Sequence, residues 1–324
     1  MKTAIVYMTG TDFALSGDPV VVSLCPEKYS DGSTFRQVVV DVECNLLGSN
    51  TIVTKTFALP GVDEWTFVEC DISSALRSVL YKWEYDASIV ASGNSVTYPC
   101  LEFCIKAHRR ELTSYGTVKD YQPVKIPKEL DRKYVAYLGR VGEYARWKGF
   151  SFDKTFTNKP AGEIFSSGQI VCKTSLADNV IKTTFSTSSG NDSRERKVFL
   201  FVNSYGVFET ISVLTRESMG YEISSTRHSI SQSPSYTPKP NISTYKQGGG
   251  AVWQMSSGYV NRDWADWFAS EFLMAHHYWM QHDGKWLPVV VEPDNDTVIV
   301  ADNNDPSLMA VSFTVRSAVS GSVR

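Results

Sequence analysis

Tyr278-Trp-Met-Gln-His282-Asp283-Gly284-Lys285-Trp-Leu-Pro-Val289 is the stretch on which the fold class turns. An Asp-Gly pair between two runs of aromatic and aliphatic residues supplies the two left-handed positions of a tight hairpin turn, so it predicts an antiparallel pair. Counting back from the turn, Met280 opposes Leu287 and Tyr278 opposes Val289 on one face. Trp279 opposes Pro288 and Gln281 opposes Trp286 on the other. The 279/288 pair is then non-hydrogen-bonded, so the N–H that proline lacks points away from its hairpin partner. The outer side of the second strand must be an edge, or a break, at Pro288.

Downstream, Val298–Ala301 and Leu308–Arg316 finish a short meander. Upstream, Asn261-Arg-Asp-Trp-Ala-Asp-Trp-Phe-Ala-Ser-Glu-Phe-Leu-Met-Ala275 predicts an amphipathic helix over 262–275. Asn261 caps it, Asp263 sits in the positive first turn, and Trp264, Trp267, Phe268, Phe272 and Ala275 form a stripe to lay on the sheet. Before the helix, residues 224–250 change character. Ser, Thr and Pro dominate, Asp and Glu are absent, and Gly248-Gly-Gly250 closes the segment. Pro234, Pro238 and Pro240 favour extended backbone, and the segment reads as a long extended arm or loop, either a mobile surface loop or an arm laid along a neighbouring subunit.

Further out, the text is β throughout. Tyr134–Leu138, Gly149–Phe156, Gly168–Thr174, Val180–Thr187, Val198–Asn203 and Phe208–Leu214 precede the arm. Val20–Leu24, Arg36–Cys44, Thr51–Leu59, Trp65–Cys70, Ser88–Ala91 and Leu101–Ala107 fill the first half. Short β-branched runs between turn clusters point to antiparallel sandwiches. One helical interruption, Asp71–Tyr81, puts Ile72, Leu76, Val79 and Leu80 on one face. Pro123 and Pro127 within Asp120–Asp131 mark the boundary. The expected architecture is therefore mainly β, with two antiparallel β-sandwich-like domains, 1–125 and 126–324. The first carries a short helix, and the second carries the arm 224–250 and the helix packed on the C-terminal meander.

A chain of 324 residues with 42% hydrophobic and 12% aromatic content is folded and able to build large cores. The formal charge of −3 leaves no global positive field to recruit nucleic acid or anionic membrane. Met1–Gly10 has too short an apolar run for a signal peptide, and no segment approaches the length of a membrane span, so a soluble chain made in a cytosol is expected. The six cysteines never form Cys-x-x-Cys and read as buried and reduced. Cys100 and Cys104, if on a strand, lie about 13 Å apart on one face, too far for a bridge.

Catalytic signatures are missing: no dinucleotide or P-loop glycine pattern, no G-x-S-x-G elbow, no H-E-x-x-H. His276, His277 and His282 are the only histidine cluster, and adjacent residues of an extended segment face opposite ways, which is poor for a shared metal. Asp294-Asn-Asp296 and Asp302-Asn-Asn-Asp305 lack the Gly and terminal Glu of a calcium loop and read as turns. Arg109-Arg110 and Arg194-Glu-Arg-Lys197 read as solvated strand ends. Trp65, Trp83, Trp147, Trp253, Trp279 and Trp286 would stack on sugars only if exposed together. No carboxylate pair can be assigned from the sequence, so a glycosidase stays open without support.

Four pieces of the C-terminal half carry a resemblance: Val198-Phe-Leu-Phe-Val-Asn-Ser-Tyr-Gly-Val-Phe-Glu-Thr-Ile211, Ala251-Val-Trp-Gln-Met-Ser-Ser-Gly-Tyr259, the helix around Trp264 and Trp267, and the hairpin through Leu287-Pro-Val-Val290. Phe67-Val-Glu-Cys-Asp-Ile-Ser-Ser-Ala-Leu76 adds a fifth. Together they cover about half the chain and resemble bacteriophage and prophage tail-associated virion proteins of the distal-tail or baseplate kind. The resemblance implies a non-enzymatic subunit with no cofactor, contacting copies of itself and other tail proteins, located in the virion and, during assembly, in the host cytoplasm. Tyr236, Pro238, Pro240, Tyr245, Trp286 and Pro288 are the candidate interface residues. The alternative is a carbohydrate-binding module or adhesin that holds a cell-surface glycan with exposed Trp and Tyr.

Overall fold

Long alternating strands organise the first part of the chain. The computed structural model describes residues 5–7, 13–24, 37–58, 68–81, 84–112, 118–124, 132–142, 145, 148, 156–178, 180–190, 192, 194, 196–214, 218–229, 242–294 and 309–318. In chain order the first strands are β1 Ile5–Tyr7, β2 Phe13–Leu15, β3 Val21–Leu24, β4 Gln37–Leu46, β5 Ser49–Ala58 and β6 Val68–Asp71. After helix α1, Ser73–Leu80, come β7 Ser95–Thr97, β8 Leu101–Leu112, β9 Val118–Val124 and β10 Tyr134–Tyr137. In β8, Leu101, Phe103, Ile105 and Ala107 are buried while Glu102 and Lys106 face water, the period of two that a half-buried strand requires. Leu47 and Gly48, both with positive φ, close the β4–β5 hairpin, and the Asn45 side chain accepts the Gly48 N–H at 3.1 Å.

The fold is mainly β. The chain separates into two compact units: Met1–Thr157 with Lys173–Thr184 and Asn203–Val207, and Asn158–Cys172 with Phe185–Val202 and Phe208–Arg324. In the first unit one sheet runs β1-β3-β6 and a second runs β2-β10-β8-β4-β5, with β9 added to β8. Neighbours are antiparallel except β2 and β10, which run parallel. Val22 and Cys70 from the first sheet meet Val40, Val42, Phe103 and Ala136 from the second in one apolar cluster. Helix α1 closes this cluster with Ala75, Leu76, Val79 and Leu80, while the Asp71 carboxylate accepts the Ser73 N–H at 2.9 Å ahead of the first turn.

Two expectations for this unit change. Ser88–Ala91 is not a strand: the Asp86 carboxylate accepts the Ser88 N–H at 2.8 Å and the Val90 N–H reaches the Ala87 carbonyl, so Ala87–Ile89 winds into a 3₁₀ turn. Pro123 lies inside a strand, opposite His108 on β8, and β9 remains paired through Val124. The compact units divide at Thr157, well after the proline-marked stretch. Close to that division Gly139 is in the left-handed region, and a Cβ there would sit 2.1 Å from the Tyr205 carbonyl carbon, so only glycine fits.

The second unit is built on one antiparallel sheet of seven strands, ordered β14-β13-β17-β18-β19-β16-β15. Its members are β13 Arg196–Val202, β14 Phe208–Leu214, β15 Ser218–Ser229, β16 Ile242–Val260, β17 Tyr278–His282, β18 Lys285–Pro293 and β19 Met309–Ser317. A preceding hairpin, β11 Ile170–Ala177 and β12 Val180–Thr187, contributes its distal part, Lys173–Thr184, to the first unit, where β12 pairs with β7. The β17–β18 register matches the turn-based count at every position, with Asp283 and Gly284 at positive φ.

Helix α2, Arg262–Trp267, starts where the sequence places it, with the Asn261 side chain accepting the Trp264 N–H at 2.9 Å. It does not run as an α-helix to Ala275. At Phe268–Phe272 it widens into a π-helical turn, closed by the Leu273 N–H on the Phe268 carbonyl at 2.9 Å. The turn buries Phe268, Glu271 and Phe272 together. Phe272 is the hub of the core, with ring centroids 5.4 Å from Phe199, 5.3 Å from Phe201, 5.5 Å from Tyr278 and 6.0 Å from Phe313. Edge-to-face pairs of this kind add about 0.5–1.5 kcal/mol each to simple burial. Among the described residues no helix is long and apolar enough to cross a membrane. Residues 149–155 of the expected Gly149–Phe156 strand, and the whole Val298–Ala301 strand, lie outside the described residues.

Candidate functional site: a sheet edge and a buried charge cluster

Of the segment read as an extended arm or loop, residues 224–229 and 242–250 are regular strand. β15, 12 residues long, and β16, 19 residues long, are antiparallel partners from Ser218↔Gln254 to Ser229↔Ile242. The correction has a local cause: Ser, Thr and Gly mask the alternation that normally announces a strand, yet their backbones pair as well as any. β16 meets β19 only from Val252↔Arg316 to Val260↔Met309. From Ala251 back to Ile242 its one strand partner among the described residues is β15. That two-stranded ribbon runs about 33 Å beyond the β19 ladder, taking about 3.3 Å per residue.

β15 is an end strand of the sheet, and Ser218–Glu222 are all exposed. Met219 and Tyr221 oppose Trp253 and Ala251, so they continue the apolar face that holds Trp253, Val315 and Phe313, but they are 50% and 73% exposed. On the opposite face Arg316 bonds both Glu222 of β15 and Glu292 of β18. Gly250, opposite Glu222, has no side chain to block that reach. These ion pairs are solvent-exposed and hold the root of the ribbon only weakly.

The candidate interface residues separate. Tyr236, Pro238 and Pro240 lie outside the described residues. Tyr245 is the extra residue of a β-bulge, since Thr226 pairs with Lys246 and Arg227 with Thr244. Trp286 and Pro288 are half-buried in β18, an interior strand, so the edge reading of Pro288 is replaced by the break. Pairing with β19 begins at Val289, and the Pro288 carbonyl accepts the Ala318 N–H at 3.0 Å. The end strands of the sheet are β14, which is buried almost throughout, and β15.

A second feature escapes the sequence reading altogether. Lys159-Pro-Ala-Gly-Glu163 forms a tight turn in which Pro160 restricts the backbone and Gly162 takes a φ of +93°. The turn brings the Lys159 ammonium into contact with the Glu163 carboxylate. Lys159 also donates to the Thr210 carbonyl at 2.6 Å, lies 3.7 Å from the Glu209 carboxylate, and faces the Phe165 and Trp267 rings at 5.9 and 5.8 Å. The other Glu163 oxygen accepts the Ser212 N–H at 3.0 Å. Next in the chain, Asn158 donates to Glu271 at 2.8 Å and accepts the Trp267 indole N–H at 3.0 Å. The carboxyls come from Glu163, from β14 and from the π turn, positions too far apart in sequence to be matched by spacing.

The electrostatics follow from this burial. Removal from water pushes the Glu163 carboxyl up, and the Lys159 cation only partly opposes it. On Lys159 burial works against the charge, but Glu163 and Glu209 outweigh it and hold the ammonium above the ordinary lysine range. Burial raises the thiols of Cys44 to about 11, Cys70 to about 12 and Cys100 to about 11, and pushes Cys172 up as well, so none of the four is a thiolate at neutral pH. All described cysteines are free.

Among the described residues no three His, Cys, Asp or Glu side chains converge as metal ligands would. His277 stacks on Trp279 at 6.2 Å, and His282 packs by Trp253 at 6.0 Å. Asp294 accepts the Thr314 hydroxyl at 2.7 Å, as a strand-end turn residue does. Of the tryptophans, Trp253 and Trp267 are buried, Trp264, Trp279 and Trp286 are half-buried, and Trp65, Trp83 and Trp147 lie outside the described residues. Among the described residues no tryptophan is fully exposed for stacking on a sugar. Compared with family models, curated proteins and solved structures, the chain matches none.

Proposed function

We propose that the chain is a non-enzymatic structural subunit of a phage tail or a related injection-type particle, acting through contacts with copies of itself and with neighbouring tail proteins. The observation that carries the reading is the β15 edge. An isolated two-stranded ribbon is marginal in water, and a long end strand with exposed apolar side chains is a template for another chain. A subunit that works alone is expected to blunt such an edge with charge or proline. β15 carries an exposed Glu222, yet beside it presents Met219 and Tyr221 where its sheet's apolar face runs out. The resemblance of Val198–Ile211, Ala251–Tyr259 and the Trp264/Trp267 helix to tail-associated proteins supports the particle context.

The test is the size of the full chain by light scattering over a range of concentrations, beside the Met219→Lys/Tyr221→Lys variant. Wild type is expected to self-associate with rising concentration, and the variant, with an unchanged circular dichroism spectrum, to stay monomeric. A wild-type chain that stays monomeric at every concentration overturns the self-contact, and unchanged association in the variant overturns β15 as its site.

A further inference from the structure

We propose that Lys159 and Glu163 become joined by an intramolecular amide, with Glu209 as the proton acceptor. Four observations place the parts. The Pro160–Gly162 turn holds nucleophile and acyl group in contact, a pre-organisation that replaces a costly encounter. The Ser212 N–H bonds Glu163 Oε1 at 3.0 Å, where negative charge collects as the carbonyl carbon becomes tetrahedral. Glu209, 5% exposed, lies 3.7 Å from Lys159 Nζ on β14, the strand that also carries Ser212. The Phe165 and Trp267 rings line the site and keep its polarity low.

The step balances without oxidant, reductant or cofactor. It starts from ammonium Lys159, protonated Glu163 and the Glu209 carboxylate. Glu209 takes one proton from the ammonium, and the amine lone pair attacks Glu163 Cδ. The Cδ–OH bond then breaks, and the departing hydroxyl carries off the second proton of the attacking nitrogen as water. The products are a secondary amide, one water and protonated Glu209, so atoms and charge are conserved. Burial favours this direction, because an ammonium and a carboxylate that are costly to hold out of water are replaced by a neutral amide and a neutral acid. The ordinary alternative for the same atoms is a persistent buried ion pair.

Intact mass spectrometry of the purified full chain decides between them. The wild type is expected to weigh less than its sequence mass by one water, and digestion with a glutamate-specific protease to leave the chain uncut after Glu163. Tandem spectra place the link on Lys159. Lys159→Arg is expected to restore both full mass and cleavage, and Glu209→Gln to lose most of the water-loss species while keeping both bonding partners. A wild-type chain at full sequence mass, both fresh and after prolonged warm incubation, overturns the proposal. A link from Lys159 to Glu209 overturns the assignment of roles.

Discussion

At the scale of single residues, Asp192 in the second unit is half-buried and held by neighbouring side chains, and an effect of pH follows from that. Asp192 accepts the Arg194 N–H at 3.1 Å and bonds the Arg194 and Arg196 guanidinium groups at 2.9 and 2.7 Å. The bonds to Arg194, with Arg196 added, hold its carboxyl far below the usual aspartate range. A depressed carboxyl binds its proton more weakly folded than unfolded, so its stabilisation is present above the unfolded value of 3.8 and fades as pH falls below it. Asp192→Asn is therefore expected to lower the urea midpoint at neutral pH and to match wild type in strong acid. Equal midpoints at neutral pH would show that the two arginines gain nothing from the carboxylate.

At the scale of elements, legibility tracks how local the determining chemistry is. The β17–β18 register is readable because two residues, Asp283 and Gly284, set the turn and fix every pair behind it. The start of α2 is readable from Asn261, but its π turn is not, because the partner of its buried Glu271 is Asn158, far away in sequence. β15 and β16 pair without an alternating pattern, so their strand character appears only in the ladder. The energy of the second unit's core is concentrated where α2 and its π turn cover the sheet. Phe272 is fully buried among four aromatic rings of β13, β17 and β19, so Phe272→Ala opens a cavity that these stiff neighbours cannot fill. The expected cost is about 3–5 kcal/mol. Denaturant unfolding measures it, and a loss below about 1 kcal/mol would mean that the aromatic cluster relaxes around the gap, contrary to the close packing of cores.

At the scale of the whole molecule, mainly-β architecture is plain in the sequence, whereas the way the chain is shared between its units is not. Prolines announce breaks in backbone pairing, but compact units are defined by which distant segments pack together. The first unit needs two pieces from beyond Thr157. The Lys173–Thr184 piece supplies the strand that pairs with β7, through Lys182↔Thr97, Thr183↔Val96 and Thr184↔Ser95. The Asn203–Val207 loop supplies Asn203, whose side chain donates to the Phe156 carbonyl at 2.8 Å and accepts the Val207 N–H at 3.3 Å. That loop also brings Tyr205, whose ring meets Phe156 edge-on at 6.4 Å, and its Ser204 carbonyl accepts the Arg140 N–H at 2.6 Å. A fragment ending at Thr157 keeps the apolar cluster of β3, β4, β8 and α1 but leaves Phe156 and the backbone around Gly139 and Arg140 without these partners. Each buried polar group left without its bond costs about 1–3 kcal/mol. Residues 1–157 expressed alone are therefore expected to unfold at distinctly lower denaturant than the same residues do within the full chain, as read by hydrogen exchange of the β4 and β8 amides. Asn203→Ala in the full chain should reproduce part of that loss. If the fragment protects those amides as well as the intact chain does, the returning segments are attached to a unit that folds without them, and the boundary at Thr157 is a true domain border.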